Sequence, residues 1–218
     1  MSKFSDRGTA VGTGEMSLRA RSIPGVVPER ELVASCRTGD HEAFAQLVRL
    51  HEGMVVSLAA RLLGEVEEAR DVAQEVFLQV YRKLGAFEGR SSLRTWIYRI
   101  AINQCHNRRR FWRRRRRDRE RSLDEAGQAP VPPGETGHAA SPYQATLRRE
   151  RARRVQAALL DLRFEQRAVL LLREVEGLTC EEVAAALGVP EGTVKSRLSR
   201  AREAMRRKLA GLAPGEVR

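Results

Sequence analysis

The chain has 218 residues, with 40 Lys and Arg against 28 Asp and Glu, a formal net charge of +12, 42% hydrophobic and only 5% aromatic residues. The charge points to a polyanionic partner, nucleic acid before an acidic membrane surface, and the scarcity of aromatics argues against a β-sandwich and for a small all-α fold. No apolar run is long enough to cross a bilayer and the N-terminus lacks the apolar core of a signal peptide, so a cytoplasmic protein without membrane insertion is expected.

Residues 1–28 carry Gly8, Gly12, Gly14, Pro24, Gly25 and Pro28 without a hydrophobic period and read as a disordered extension. From Glu29, helical spacing begins with Leu32, Val33 and Cys36, breaks at Gly39-Asp40, and resumes through Phe44, Leu47, Val48, Val55, Leu58, Ala59 and Leu62. Asp40 suits an N-cap and Gly64 a helix stop. The next helix, about Glu67 to Leu84, sets Val72, Val76 and Val80 on one face and Glu68, Asp71, Glu75 and Gln79 on the other. After the loop "GAFEGRSS", a fourth helix starts near Leu93 with a buried stripe of Leu93, Ile97, Ile100, Ala101 and Gln104. Four helices make one bundle over 29–117.

That fourth helix runs into eight arginines and two aromatics at 108–117, with no further buried stripe; the run offers phosphate attraction without sequence readout. Residues 118–146 hold Pro130, Pro132, Pro133, Gly134, Gly137 and Pro142, and two arginines against five acids leave −3. They read as a flexible linker. Fully extended it reaches about 95 Å, enough for two units to dock far apart on one partner.

A second helical unit is expected over 147–212, before a short tail at 213–218. Leu147, Ala152, Val155, Leu159 and Leu162 lead to Val169, Leu170, Leu172 and Val175 and a stop at Gly177. Thr179 and Glu182 then form a T-x-x-E capping box. Val183, Ala184 and Leu187 are the inward positions, Gly188 supplies a tight turn, and Pro190 presets the next helix. That helix buries Val194, Leu198 and Ala201 and presents Lys195, Ser196, Arg197, Ser199, Arg200 and Arg202. Cap, small residue, glycine turn and basic second helix are what a helix-turn-helix needs to enter a major groove. The three cysteines, Cys36, Cys105 and Cys180, lie too far apart in sequence for a metal-pair spacing and are read as reduced, packing thiols. No nucleophile, metal or P-loop spacing suggests an enzyme, and no cofactor is expected.

With these motifs in view, "ARDVAQEVFLQVYRKLGAFEGRSSLRTWIYRIAINQCHN" resembles the core-binding and promoter-melting domain of extracytoplasmic-function (group 4, sigma-70 superfamily) sigma factors. "LTCEEVAAALGVPEGTVKSRLSRAREAMRRKL" resembles their upstream-element domain. The resemblance implies a non-enzymatic polymerase subunit that binds the β′ and β subunits of core RNA polymerase and promoter DNA, held in check by an anti-sigma partner. It implies core-polymerase contacts at Asp71, Gln74, Glu75 and Leu78. Downstream-element contacts fall on Phe87, Arg90 and Ser91 of the loop and on Trp96, Arg99, Asn103, His106 and Arg110 of the following helix, a stripe that mixes a flat ring, amides and cations as single strands require. Upstream-element contacts fall on Thr193, Lys195, Ser196, Arg197, Ser199 and Arg200. A helix-turn-helix activator, for which 29–117 lack the strands of a receiver domain, and an arginine-rich RNA-binding protein are the competing readings; a DNA recombinase would need a catalytic core that 29–117 hardly accommodate.

Overall fold

The computed structural model describes residues 28–119 and 142–210, all of them in helices, turns or short connections, with no strand among the described residues. The N-terminal extension, most of the linker and the tail lie outside them.

Four helices form the first unit: α1 (Glu29–Arg37), α2 (His41–Leu63), α3 (Val66–Lys83) and α4 (Leu93–Arg119). Local chemistry fixes their ends. The Asp40 carboxylate accepts from Glu42 N (2.9 Å) and Ala43 N (3.1 Å), capping α2, and Gly64 closes that helix in the left-handed region at φ 86°. At the start of α4, Ser92 Oγ accepts from Thr95 N at 3.1 Å and Glu29 Oε1 accepts from Leu93 N at 3.2 Å. Arg37 donates to the carbonyls of Leu84 (3.3 Å) and Phe87, tying the loop before α4 to α1. Leu47, Val55, Leu58, Leu62, Val72, Val76, Val80, Leu93 and Ile97 fill the centre of this bundle.

The second unit comprises α5 (Pro142–Leu160), α6 (Phe164–Leu170), which widens into a π turn over Leu171–Val175, α7 (Cys180–Leu187) and α8 (Glu191–Leu209). Thr179 and Glu182 make both bonds of the capping box, at 3.1 and 2.8 Å. Gly188 turns the chain at φ 64°, and Pro190 sits one position before α8. Helix α5 starts at Pro142, five residues before the boundary read at 147, because proline in a first turn lacks only an N–H that has no intrahelical acceptor there. Val155 and Val175, expected inside, are 37% and 49% exposed; Gln156 and Ala158 are buried instead.

The two bundles share one continuous hydrophobic core, which their separate sequence patterns do not reveal. Helix α4 is the reason. Beside the stripe of Leu93, Ile97, Ile100 and Ala101 it carries a second one, Tyr98, Ile102 and Cys105, all three buried; Cys105, not Gln104, continues the apolar face. One stripe serves α2 and α3, while α4 also packs against α7 of the second unit.

Candidate nucleic-acid interface

Where the units meet, side chains of one cap the helix end of the other. Arg167, 3% exposed, donates to the carbonyl of Leu62 at the end of α2, and also to Leu160 O (2.8 Å) and Leu162 O (3.2 Å). Burial, reinforced by the neighbouring Arg109, brings its pKa down to about 10, still high enough to keep it charged. Gln156 Nε2 reaches Arg61 O at 3.3 Å and Ala60 O at 3.5 Å. Orphan carbonyls at a helix C-terminus attract such donors. The approach is close enough that a Cβ on Gly64 would stand 2.7 Å from Leu160 Cδ1.

A second polar cluster joins α4 to the segment before α7. The Glu176 carboxylate, 9% exposed, accepts from the Tyr98 hydroxyl and pairs with Arg94 at 3.3 Å and Arg61 at 3.8 Å. Burial and then the bond to Glu176 push the Tyr98 pKa above the ordinary tyrosine range, so the hydroxyl remains a donor. Further along α4, the ring of His106 lies 5.3 Å from that of Phe164, and the Arg109 guanidinium stands 5.6 Å from the same ring.

The structure sorts the downstream-element candidates into four groups. Arg99, Asn103 and Arg110 are exposed on α4 at spacings of four and seven. Arg90 is exposed and paired with Glu88 at 2.9 Å, with Ser91 half-buried beside it. Phe87 and Trp96 pack ring to ring at 5.2 Å, Phe87 only 9% exposed, so in this conformation they brace the loop against the core. His106 is engaged by the second unit. On α8, Lys195, Ser196, Ser199 and Arg200 are exposed, while Thr193 and Arg197 are half-buried. Ser196 donates to Thr193 O at 3.0 Å, and the Lys195–Glu191 pair (2.9 Å) raises the lysine pKa.

Elsewhere in the first unit, α2 and α3 border an open apolar groove of about 870 Å³, lined by Phe44, Val48, Val56, Phe77, Leu78 and Tyr81 among others. Leu78 and Tyr81 are 56% and 48% exposed, well above what isolated packing leaves for such side chains in a bundle. Asp71, Gln74 and Glu75 are exposed on the same helix; Glu75 is held by Arg108 of α4 at 2.7 Å, which also pairs with Glu68 at 3.1 Å. Sequence reading singled out Leu78 but missed the groove, whose other walls come from α2. Arg108 therefore braces α3 from α4.

Comparison with known proteins settles the family. Residues 47–118 match sigma-70 region 2 and residues 152–205 match sigma-70 region 4. The RNA polymerase sigma-H factor of Pseudomonas aeruginosa is 38% identical over 188 residues, 84% of this chain and 95% of that protein. The chain belongs to the extracytoplasmic-function sigma factors. Under that name, the ECF sigma-E factor of Escherichia coli is 36% identical over 193 residues and SigW of Bacillus subtilis 31% over 185, each matched over 84% of this chain and over 95% and 97% of theirs. Two solved structures share its fold at 26% identity: RpoE of Bartonella quintana in complex with the anti-sigma factor NepR (TM-score 0.62, covering 77% of this chain and 96% of that one), and CnrH with the cytosolic domain of CnrY (TM-score 0.58, 85% and 99%). The sigma factor is thus an alternative promoter-specificity subunit of RNA polymerase, built from two helical domains.

Proposed function

We propose that the work of this sigma factor is divided among three surfaces. The α2–α3 face, with Asp71, Gln74, Glu75 and Leu78, docks core polymerase through its β′ subunit, an acidic and apolar surface being poor for DNA and good for protein. Helix α4 and the loop before it hold the parted downstream element: Arg99, Asn103 and Arg110 supply edge donors and charge, Arg90 and Ser91 flank the base pocket, and Phe87, Trp96 and His106 join once they are freed from their present neighbours. Helix α8 reads intact upstream duplex from the major groove with Thr193, Lys195, Ser196, Arg197, Ser199 and Arg200. No bond is made or broken by the protein; the open promoter accumulates because its strands bind better than the closed duplex does. The first domain comprises α1 to α4 and the second α5, from Pro142, to α8; the protein works in the cytoplasm, where an anti-sigma partner holds it, as NepR and CnrY accompany the two structural relatives.

The observation that supports this reading is the coexistence, in one unit, of an exposed apolar groove between α2 and α3, with Asp71 and Glu75 exposed on α3, and a neighbouring helix, α4, whose exposed side is cationic. Purified protein added to core polymerase should move transcription start sites to promoters with paired upstream and downstream elements. Unchanged start sites would dismiss it.

A further inference from the structure

The dense arginine run finds no full use in promoter reading. Helix α4 does not end with its apolar stripes but continues to Arg119. Its first two arginines are occupied inside the molecule, Arg108 by Glu68 and Glu75 and Arg109 by Phe164. The next ones are not. Arg110, Arg113 and Arg114 are exposed and form no ion pair with any described residue, although elsewhere on the surface most acidic side chains have found a cation. They lie at i, i+3 and i+4, on one side of the helix.

We propose that this arm binds duplex DNA without regard to sequence, and that it does so in the free, closed sigma factor, before polymerase or promoter is engaged. The inference rests on the reading that α4 faces promoter DNA, and extends it in two respects. First, closure withdraws His106 from the reading stripe yet leaves Arg110, Arg113 and Arg114 open, so the closed molecule keeps its phosphate contacts with the reading stripe incomplete. Second, the shape selects the polyanion. The consecutive Arg113, Arg114 and Arg115, all exposed, step by about 100° each around a helix roughly 10–12 Å across, so Arg115 extends the charge beyond the face shared by Arg110, Arg113 and Arg114. That suits a groove about 12 Å wide with phosphates along both walls. A membrane surface would require an apolar face opposite the charges, and the only large apolar side chain exposed on the described part of the arm is Phe111, already covered by Arg115 at 4.9 Å.

The test uses the full chain without polymerase and a fluorescent duplex of random sequence, with affinity measured between 50 and 200 mM salt. Each phosphate contact contributes about 0.9 to the slope of log K against log salt. The Arg113→Gln/Arg114→Gln variant should therefore flatten that slope by about 1.8, and its affinity should fall about 12-fold less across this fourfold range than that of the unaltered protein. A variant with the same charge change at the end of α3, Arg82→Gln/Lys83→Gln, should keep the original slope. Equal flattening in both variants would reduce the effect to net charge and overturn the proposal, as would an unaltered slope in the first. Tenfold tighter binding to single-stranded DNA or to structured RNA of equal length would overturn the assignment to duplex. Start-site selection by the unaltered protein with core polymerase reports separately on the sigma function, so either reading can fail while the other stands.

Discussion

Replacing Glu176 by alanine removes the carboxylate that, among the described residues, ties the segment before α7 to α4. In the closed structure it accepts from the Tyr98 hydroxyl and pairs with Arg94 and Arg61. The tyrosine bond is charge-assisted and its ring fully buried, so its loss costs about 1.5–3 kcal/mol. The arginine pairs add little: Arg94 and Arg61 side chains are 48% and 31% exposed, which limits each pair to about 0.2–1 kcal/mol. The change leaves Arg94 its bonds to the backbone carbonyl of residue 176 at 3.1 Å and to the Tyr98 oxygen at 3.0 Å, but strips the buried Tyr98 hydroxyl of its acceptor. A net loss of about 2–3 kcal/mol shifts the balance of closed and open forms by about 30- to 140-fold. Small-angle scattering of the free protein should show a larger radius of gyration for Glu176→Ala. Glu174→Ala, which breaks an exposed pair with Arg202 inside the second unit, should leave it unchanged. Identical scattering from both variants and the unaltered protein would refute the latch assigned to Glu176.

Three further changes probe the other surfaces. Leu78→Asp places a charge on the apolar groove and should weaken core-polymerase binding by more than about 1 kcal/mol, at least fivefold in a competition assay, while leaving thermal stability within about 0.5 kcal/mol, since the side chain is already exposed. Arg200→Ala should weaken upstream-element binding by about 1–3 kcal/mol and relax preference at one base pair, which a gel-shift series over single-base substitutions would reveal. Burial, with Arg94 nearby, lowers the pKa of His51 below 6.5, and Glu29 opposes this only in part. The unfolded chain then takes up a proton that the folded one resists, so this residue is neutral to stability above about pH 6.5 and destabilising below it. Unfolding curves of His51→Gln should lose part of the decline seen between pH 6.5 and 5.

Local rules made much of the fold legible. Asp40, Gly64, the Thr179–Glu182 box and Gly188 each act within a few residues of themselves, so their side chains announce the turn they make. The acidic face of α3 and the cationic face of α8 were equally visible, because exposed charge at helical spacing needs no knowledge of a neighbour. The contact between the units was not. Arg167, Gln156 and Glu176 look like ordinary surface residues, and their partners lie 105, 95 and 78 positions away. One signal was available: Tyr98, Ile102 and Cys105 repeat at four and three, a second apolar stripe that a helix facing a single neighbour has no reason to carry. Phe87 and Trp96 illustrate the opposite case, since an aromatic in a loop beside a basic helix suits a base platform and a core plug equally, and only packing separates the two.

On the proposed division of surfaces, closure has unequal consequences for the two partners of this sigma factor. The α2–α3 groove and the exposed side of α3 stay open in the closed structure, so docking on polymerase needs no separation of the units. Reading the downstream element does, because His106 rests on Phe164 and α4 packs against α7. For a binder whose competent form is populated to a fraction f, the apparent dissociation constant rises as 1/f. A closed form favoured by 2 kcal/mol therefore weakens promoter reading by the free protein about 30-fold and leaves core binding untouched. The proposed division of surfaces therefore predicts an order of events: polymerase first, opening second, promoter last. Glu176→Ala is the variant that isolates this, and it should tighten binding of the free protein to a single-stranded downstream-element oligonucleotide while its affinity for core polymerase stays constant. A parallel gain in both affinities would place the groove, too, under the control of closure and reverse the order argued here.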